Sequence, residues 1–161
     1  MRFADFLRTT VLASAGAASV LAALTVAGAT GHGDDLLVPF AAGWWVLAGL
    51  TGIWLGRRAE TSGPIASLLA GARTQASLPD VNPARTMLNR LWPLLVSTVG
   101  AGALAFVVPQ VAAVATGFAI IWSLAWRRQA SAVRAIEQRD GARFYVDKTS
   151  PFKPIRLVRT P

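Results

Sequence analysis

The chain reads as an all-α integral membrane protein. Four transmembrane helices form two hairpins, N-in/C-in, with short cytoplasmic helices and an extended basic C-terminal tail. Three observations predict this. Uncharged apolar stretches occupy roughly residues 9–30, 36–56 and 91–126 of the 161. The third stretch is too long for a single crossing. All sixteen Lys and Arg residues can be placed on one side of the bilayer if that stretch crosses twice. Composition agrees: 53% of residues are hydrophobic and 15% charged, against about 25% charged in an ordinary soluble domain. Mean hydropathy is +0.46.

The first two stretches each match one crossing. A bilayer core about 30 Å thick takes about 20 helical residues at about 1.5 Å each. Span one is expected at about 9–30 and span two at about 36–56. The first stretch also fits a cleaved signal peptide, with an A-x-A site at Ala27-Gly28-Ala29. Its length and Asp5 in the preceding segment favour a retained span. Residues 91–126 would make a helix of about 54 Å, beyond any reasonable tilt. They divide at Pro109, which lacks a backbone donor, into spans of about 91–108 and 110–126.

The positive-inside rule tests that division. Arg2 and Arg8 precede span one, and Arg57, Arg58, Arg73, Arg85 and Arg90 lie between spans two and three. Nine further Lys and Arg residues follow span four. The opposite side holds only the loop 31–35, with Asp34 and Asp35, and the Pro109-Gln110 turn. The expected layout is a membrane domain of residues 1–126, including a cytoplasmic loop 57–90, and a cytoplasmic basic tail of 127–161. Trp54, Trp92 and Trp126 fall at cytoplasmic ends beside Arg57, Arg58, Arg90, Arg127 and Arg128. These eight residues are the expected lipid-interface anchors. Trp44 and Trp45 lie deeper, so at least one should pack on a neighbouring helix. Gly52 and Gly56 form a GxxxG pattern that permits close helix packing, within the chain or in an oligomer.

Between spans, "ETSGPIASLLAGAR" predicts a short helix opening near Pro64 and stopping at Gly71. Asn82 and Pro83 suit the cap and first residue of another. Pro93 should kink it or start a separate helix. After Trp126 a helix continues to the stop Asp140-Gly141. "RFYV" then has strand composition, and the remainder, rich in proline and basic residues, should be extended. Phe144, Tyr145 and Phe152 make this tail too apolar to remain solvated. They are expected to dock it on the other cytoplasmic segments, on headgroups or on a partner. The segment from Arg57 to "GAR" at 71–73 matches that from Arg127 to "GAR" at 141–143: each runs RR, then GAR, at an offset of 70. A duplicated two-helix hairpin would explain it; so would coincidence in an Ala- and Arg-rich chain.

Chemistry is sparse. With no cysteine and one histidine, His32, thiolate sites and multi-His metal sites are excluded. The spans contain no ionisable residue, which argues against a proton relay. Their hydroxyls, including Ser14, Thr25, Thr116 and Ser123, are expected to bond backbone or neighbouring helices. "HGDD" at 32–35 reads as a solvated turn. "DGAR" at 140–143 resembles part of the CDP-alcohol phosphotransferase signature, but its internal spacing differs and the downstream aspartates are missing. No catalytic or cofactor-binding array is present, so neither enzyme activity nor a cofactor is expected. The net charge of +8 beside apolar spans points to anionic lipid headgroups rather than nucleic acid. Arginine outnumbers lysine fourteen to two, as in GC-rich bacterial genomes, so the bacterial plasma (inner) membrane is the expected location. The leading expectation is a multi-pass scaffold or accessory subunit whose basic face docks anionic lipid or a cytosolic or membrane partner. The alternative is a small oligomeric transporter or channel built from the duplicated hairpins.

Overall fold

The computed structural model describes residues 1–57, 60–74, 82–147 and 155–160. It is mostly helical (76%). In chain order it contains α1 (Phe3–His32), α2 (Leu37–Leu55), α3 (Gly63–Ala70), β1 (Arg73–Thr74), α4 (Pro83–Leu104), α5 (Pro109–Trp126), α6 (Gln129–Asp140), β2 (Arg143–Val146) and β3 (Leu157–Thr160). Three helical stretches are long and apolar enough to cross a membrane: Phe3–His32, Leu37–Leu55 and Pro109–Asp140. In the last, α5 supplies the apolar part and α6 is polar.

Chain compactness separates two units. Unit 1 comprises Met1–Thr9, Arg58–Trp92 and Arg127–Pro161; unit 2 comprises Thr10–Arg57 and Pro93–Trp126. The loop after span two groups with the tail, because β1 in that loop pairs with β3 in the tail.

Unit 2 is built on small residues. Its buried positions include Ala18, Ala41, Ala48, Ala101, Ala105, Ala112 and Ala113, with Ser14, Thr25 and Thr116. The hydroxyls of those last three each donate to the carbonyl four residues back in their own helix. Ser123 instead donates across to the Val11 carbonyl at 3.4 Å. α2 and α5 approach most closely. A Cβ on Gly52 would lie 2.8 Å from Leu124 Cβ and 3.1 Å from Ile121 Cα, and one on Gly56 would overlap the Leu124 carbonyl. A Cβ on Gly117 would overlap the Trp44 indole. Trp44 and Trp45 both reach α5, donating to the carbonyls of Val114 at 3.2 Å and Ala113 at 2.9 Å.

The α1–α2 connection turns at Gly33, whose φ of 66° lies in the left-handed region that glycine adopts at no steric cost. Asp34 then accepts the Leu37 N–H at 3.1 Å and the Gln110 side-chain N–H at 3.3 Å. The two loops therefore sit at one end of unit 2.

Several boundaries differ from expectation. α1 begins at Phe3 rather than near residue 9, because its first turns belong to unit 1: Phe3, Phe6 and Leu7 are buried there. Asp5 pairs with Arg134 at 3.0 Å, so charge does not end the helix. α4 is one helix with Pro93 inside it, opened by Asn82, whose side chain accepts the Ala84 N–H. It ends at Leu104, so the turn is 105–108 and Pro109 is the first residue of α5. That position tolerates proline because the first N–H groups of a helix have no intrahelical partner. Arg85 and Arg90 leave only residues 91–104 of α4 neutral, about 21 Å of helix.

The all-α expectation is also corrected, while RFYV forms the strand β2 as its composition predicts. Unit 1 contains a three-stranded sheet in the order β1-β3-β2. β1 runs parallel to β3, and β2 antiparallel to it. Arg2 bridges to Tyr145, and the Val146 N–H donates to the Met1 carbonyl at 3.1 Å, so the N-terminus extends the sheet beyond β2. Backbone hydrogen bonding requires the extended tail to find such partners once it is buried. Ile65, Val133, Phe144, Val146, Leu157 and Val158 are each at most 3% exposed, which makes them the apolar centre of unit 1. Gln129, itself buried, accepts the Ser62 N–H at 3.0 Å and donates to the Glu60 carbonyl at 3.5 Å.

Candidate functional site: an apolar belt and a cationic sheet

Size and burial are inverted in unit 2. Small and hydroxyl side chains are inside, while Leu12, Val20, Val46, Leu47, Leu50, Val96, Val99 and Phe118 are exposed. Water would penalise so much exposed apolar surface. A hydrocarbon solvent would not, and small interior residues are how helices pack there. The turn 105–108 continues the pattern: Phe106 is 74% and Val107 75% exposed.

Charge divides oppositely. By sequence, every Lys and Arg except Arg57 belongs to unit 1, and unit 2 holds only Asp34 and Asp35 of the eight acids. The expected anchors take up varied places. The Arg57 guanidinium lies over the Trp54 ring, 5.6 Å from its centroid, a cation–π contact. Trp126 stacks on Trp122 with centroids 5.3 Å apart. Trp54, Trp92, Arg127 and Arg128 are exposed, and Arg90 and Trp126 half-buried. Arg58 and Phe152 lie outside the described residues. Gly52 and Gly56 face α5 within the chain. Phe144 is buried in unit 1 and Tyr145 half-buried on β2, so the described tail docks on its own chain.

Unit 1 also holds a cavity of about 310 Å³ bounded by α3, β1, the end of α6, β2 and β3. The sheet register builds one wall. Thr74 is opposite Arg159 on one side and Phe144 is opposite it on the other. The three side chains form one row across the sheet, and all line the cavity. Leu69 and Ile136 add apolar wall, and Arg139 and Asp140 add charge. Arg139 Nε donates to Asp140 Oδ1 at 2.8 Å. That bond, reinforced by charge attraction, raises the Arg139 pKa above its usual value. The same bond holds the Asp140 carboxyl below the usual carboxylate range, opposed by desolvation and assisted by the charges of Arg139 and Arg159. Among the described residues, Arg159 makes no ion pair within 4.0 Å.

Sequence reasoning did not find this cavity. Arg159 and Thr74 meet only through strand pairing between distant segments, and nothing local marks them. The one visible trace was the repeated GAR, since β1 starts at Arg73 and β2 at Arg143. Among the described residues no group of His, Asp and Glu could hold a metal ion. Compared with known protein families, characterised proteins and solved structures, the chain has no match.

Proposed function

We propose that this protein is a four-helix membrane scaffold or accessory subunit of the bacterial plasma membrane. Its termini share the cytoplasmic side, and unit 1 forms a basic platform that docks anionic lipid headgroups. The observation that carries the reading is the partition of charge. Unit 2 presents large apolar side chains outward and holds almost no charge, while unit 1 collects the arginines. Basic residues near an anionic leaflet each contribute about 1 kcal/mol of attraction.

Four crossings are supported by the hydrogen bond between Gln110 and Asp34. It joins the two loops that a pair of hairpins would turn on the same side. The short neutral part of α4 fits a crossing whose exposed turn, Phe106 and Val107, reaches the outer edge of the bilayer beside the Asp34 loop. A transporter reading would need a polar path. The buried hydroxyls of Ser14, Thr25 and Thr116 instead bond carbonyls of their own helices.

Single cysteines at Asp35, Gln110 and Gln138, all exposed, test the topology in this Cys-free chain. An impermeant maleimide applied to intact cells should label the first two and reach position 138 only after permeabilisation. External labelling at 138 would overturn the arrangement. For docking, unit 1 amides should exchange more slowly in bilayers with anionic lipid than in neutral ones. High salt should remove the difference, because exposed charges are screened. Equal exchange in both bilayers would refute it.

A further inference from the structure

We propose that the unit 1 cavity binds a single phosphodiester group carrying a hydroxyl or amine, the chemistry of a glycerophospholipid headgroup. Its volume, about 310 Å³, is at the small end of ligand pockets. Its charges set the ligand's charge. Arg139 is compensated by Asp140 at 2.8 Å, and among the described residues Arg159 has no ion pair within 4.0 Å, so the three charges on the wall sum to one positive. One net positive charge matches a phosphodiester monoanion better than a phosphate dianion. A guanidinium presents a planar fork suited to two phosphate oxygens, and the Thr61 and Thr74 hydroxyls, both at the cavity, can donate further bonds. Asp140 is acceptor-only when ionised and can take a bond from a headgroup hydroxyl or ammonium. Phe144, Leu69 and Ile136 supply apolar wall for the glycerol carbons.

This site rests on the headgroup-docking reading but makes a narrower claim: one saturable site rather than a diffuse field. Arg143 separates the two. It is adjacent to Phe144 on β2 and exposed, and strand alternation places it on the opposite face of the sheet from Arg159. Arg143→Gln and Arg159→Gln therefore remove the same charge from the same sheet, and only the second touches the cavity.

The test titrates the ¹⁵N-labelled full chain in neutral micelles with three probes: dihexanoyl phosphatidylglycerol, its soluble headgroup glycerophosphoglycerol, and inorganic phosphate. Arginine Nε–H signals report binding. The lipid should bind saturably at one per chain and shift Arg159. Arg159→Gln should weaken it about tenfold or more, as loss of a hydrogen bond to a charged group implies. Arg159→Lys should recover part of the loss, and Arg143→Gln should change affinity by less than about twofold. Amide signals of β3 confirm that each variant keeps the sheet. Binding of lipid and soluble headgroup alike assigns recognition to the phosphodiester. Binding of the lipid alone adds the acyl chain to it. No saturation by either, tightest binding by inorganic phosphate, or equal losses in Arg159→Gln and Arg143→Gln would each overturn the proposal. Equal losses would still leave diffuse headgroup attraction standing.

Discussion

Asp140 and Arg139 are adjacent at the end of α6, and each holds the other's charge. The hydrogen bond from Arg139 lowers the Asp140 pKa in the folded chain. A carboxyl whose folded pKa lies below its unfolded value contributes stability above the unfolded value, about 3.9 for aspartate. That contribution is lost as pH falls through the lower, folded value. A ¹³C carboxyl titration should therefore place the Asp140 midpoint below that of an ordinary aspartate. Arg139→Gln should move it back up, and an unchanged midpoint would show that the pair does not persist in solution. Gly141 next to it, at φ of 61°, ends α6 where a side chain would be strained. Here Asp140-Gly141 was legible as a helix stop, because left-handed caps have a strong residue preference. The partner role of Asp140 in the cavity was not, because it depends on a wall built by β3.

At the scale of elements, the contact between α2 and α5 depends on the absence of side chains. Gly52 and Gly56 let the Ile121–Leu124 backbone approach, and the interior of unit 2 is mostly alanine and hydroxyl, with Leu21 and Leu37 its large buried side chains. Gly52→Leu or Gly56→Leu should destabilise the fold by about 1–3 kcal/mol, the usual cost of overpacking. A Cβ on Gly43 would meet nothing within 4 Å, so Gly43→Leu should be near neutral. Thermal unfolding in detergent compares the three, and equal shifts would remove the case for close packing here. The GxxxG spacing made these glycines visible in the sequence, but not their partner helix. The repeated RR-to-GAR segments also gain content. In both, a helix ends, a glycine follows, and a strand begins at the arginine: α3, Gly71 and β1, then α6, Gly141 and β2. The likeness is incomplete, since β1 and β2 run in opposite senses against β3.

At the scale of the whole molecule, the chain divides by solvent preference as well as by compactness. A chain ending at Asp140 loses β2 and β3 and with them Phe144, Val146, Leu157 and Val158. Hydrogen exchange should then show α3 and α6 deprotected. The Trp45 indole N–H, bonded to Ala113 in unit 2, should keep its protection. Retained protection of α6 would mean that the sheet is dispensable to unit 1.

The sequence by itself determined the apolar helices, the excess of arginine outside them and most helix ends. These are local properties: transfer free energy accumulates residue by residue along a run, and caps and stops are read from a few adjacent residues. Only the tertiary structure decided that the tail strands pair with each other and with β1, that α1 starts inside unit 1, and that Thr74, Arg159 and Phe144 share one row. Each depends on pairing segments far apart in sequence, where the partner rather than the local residue types sets the outcome. The long neutral run shows both sides. Charges at its ends called for two helices, and the structure placed the turn at 105–108, with Pro109 opening the second helix.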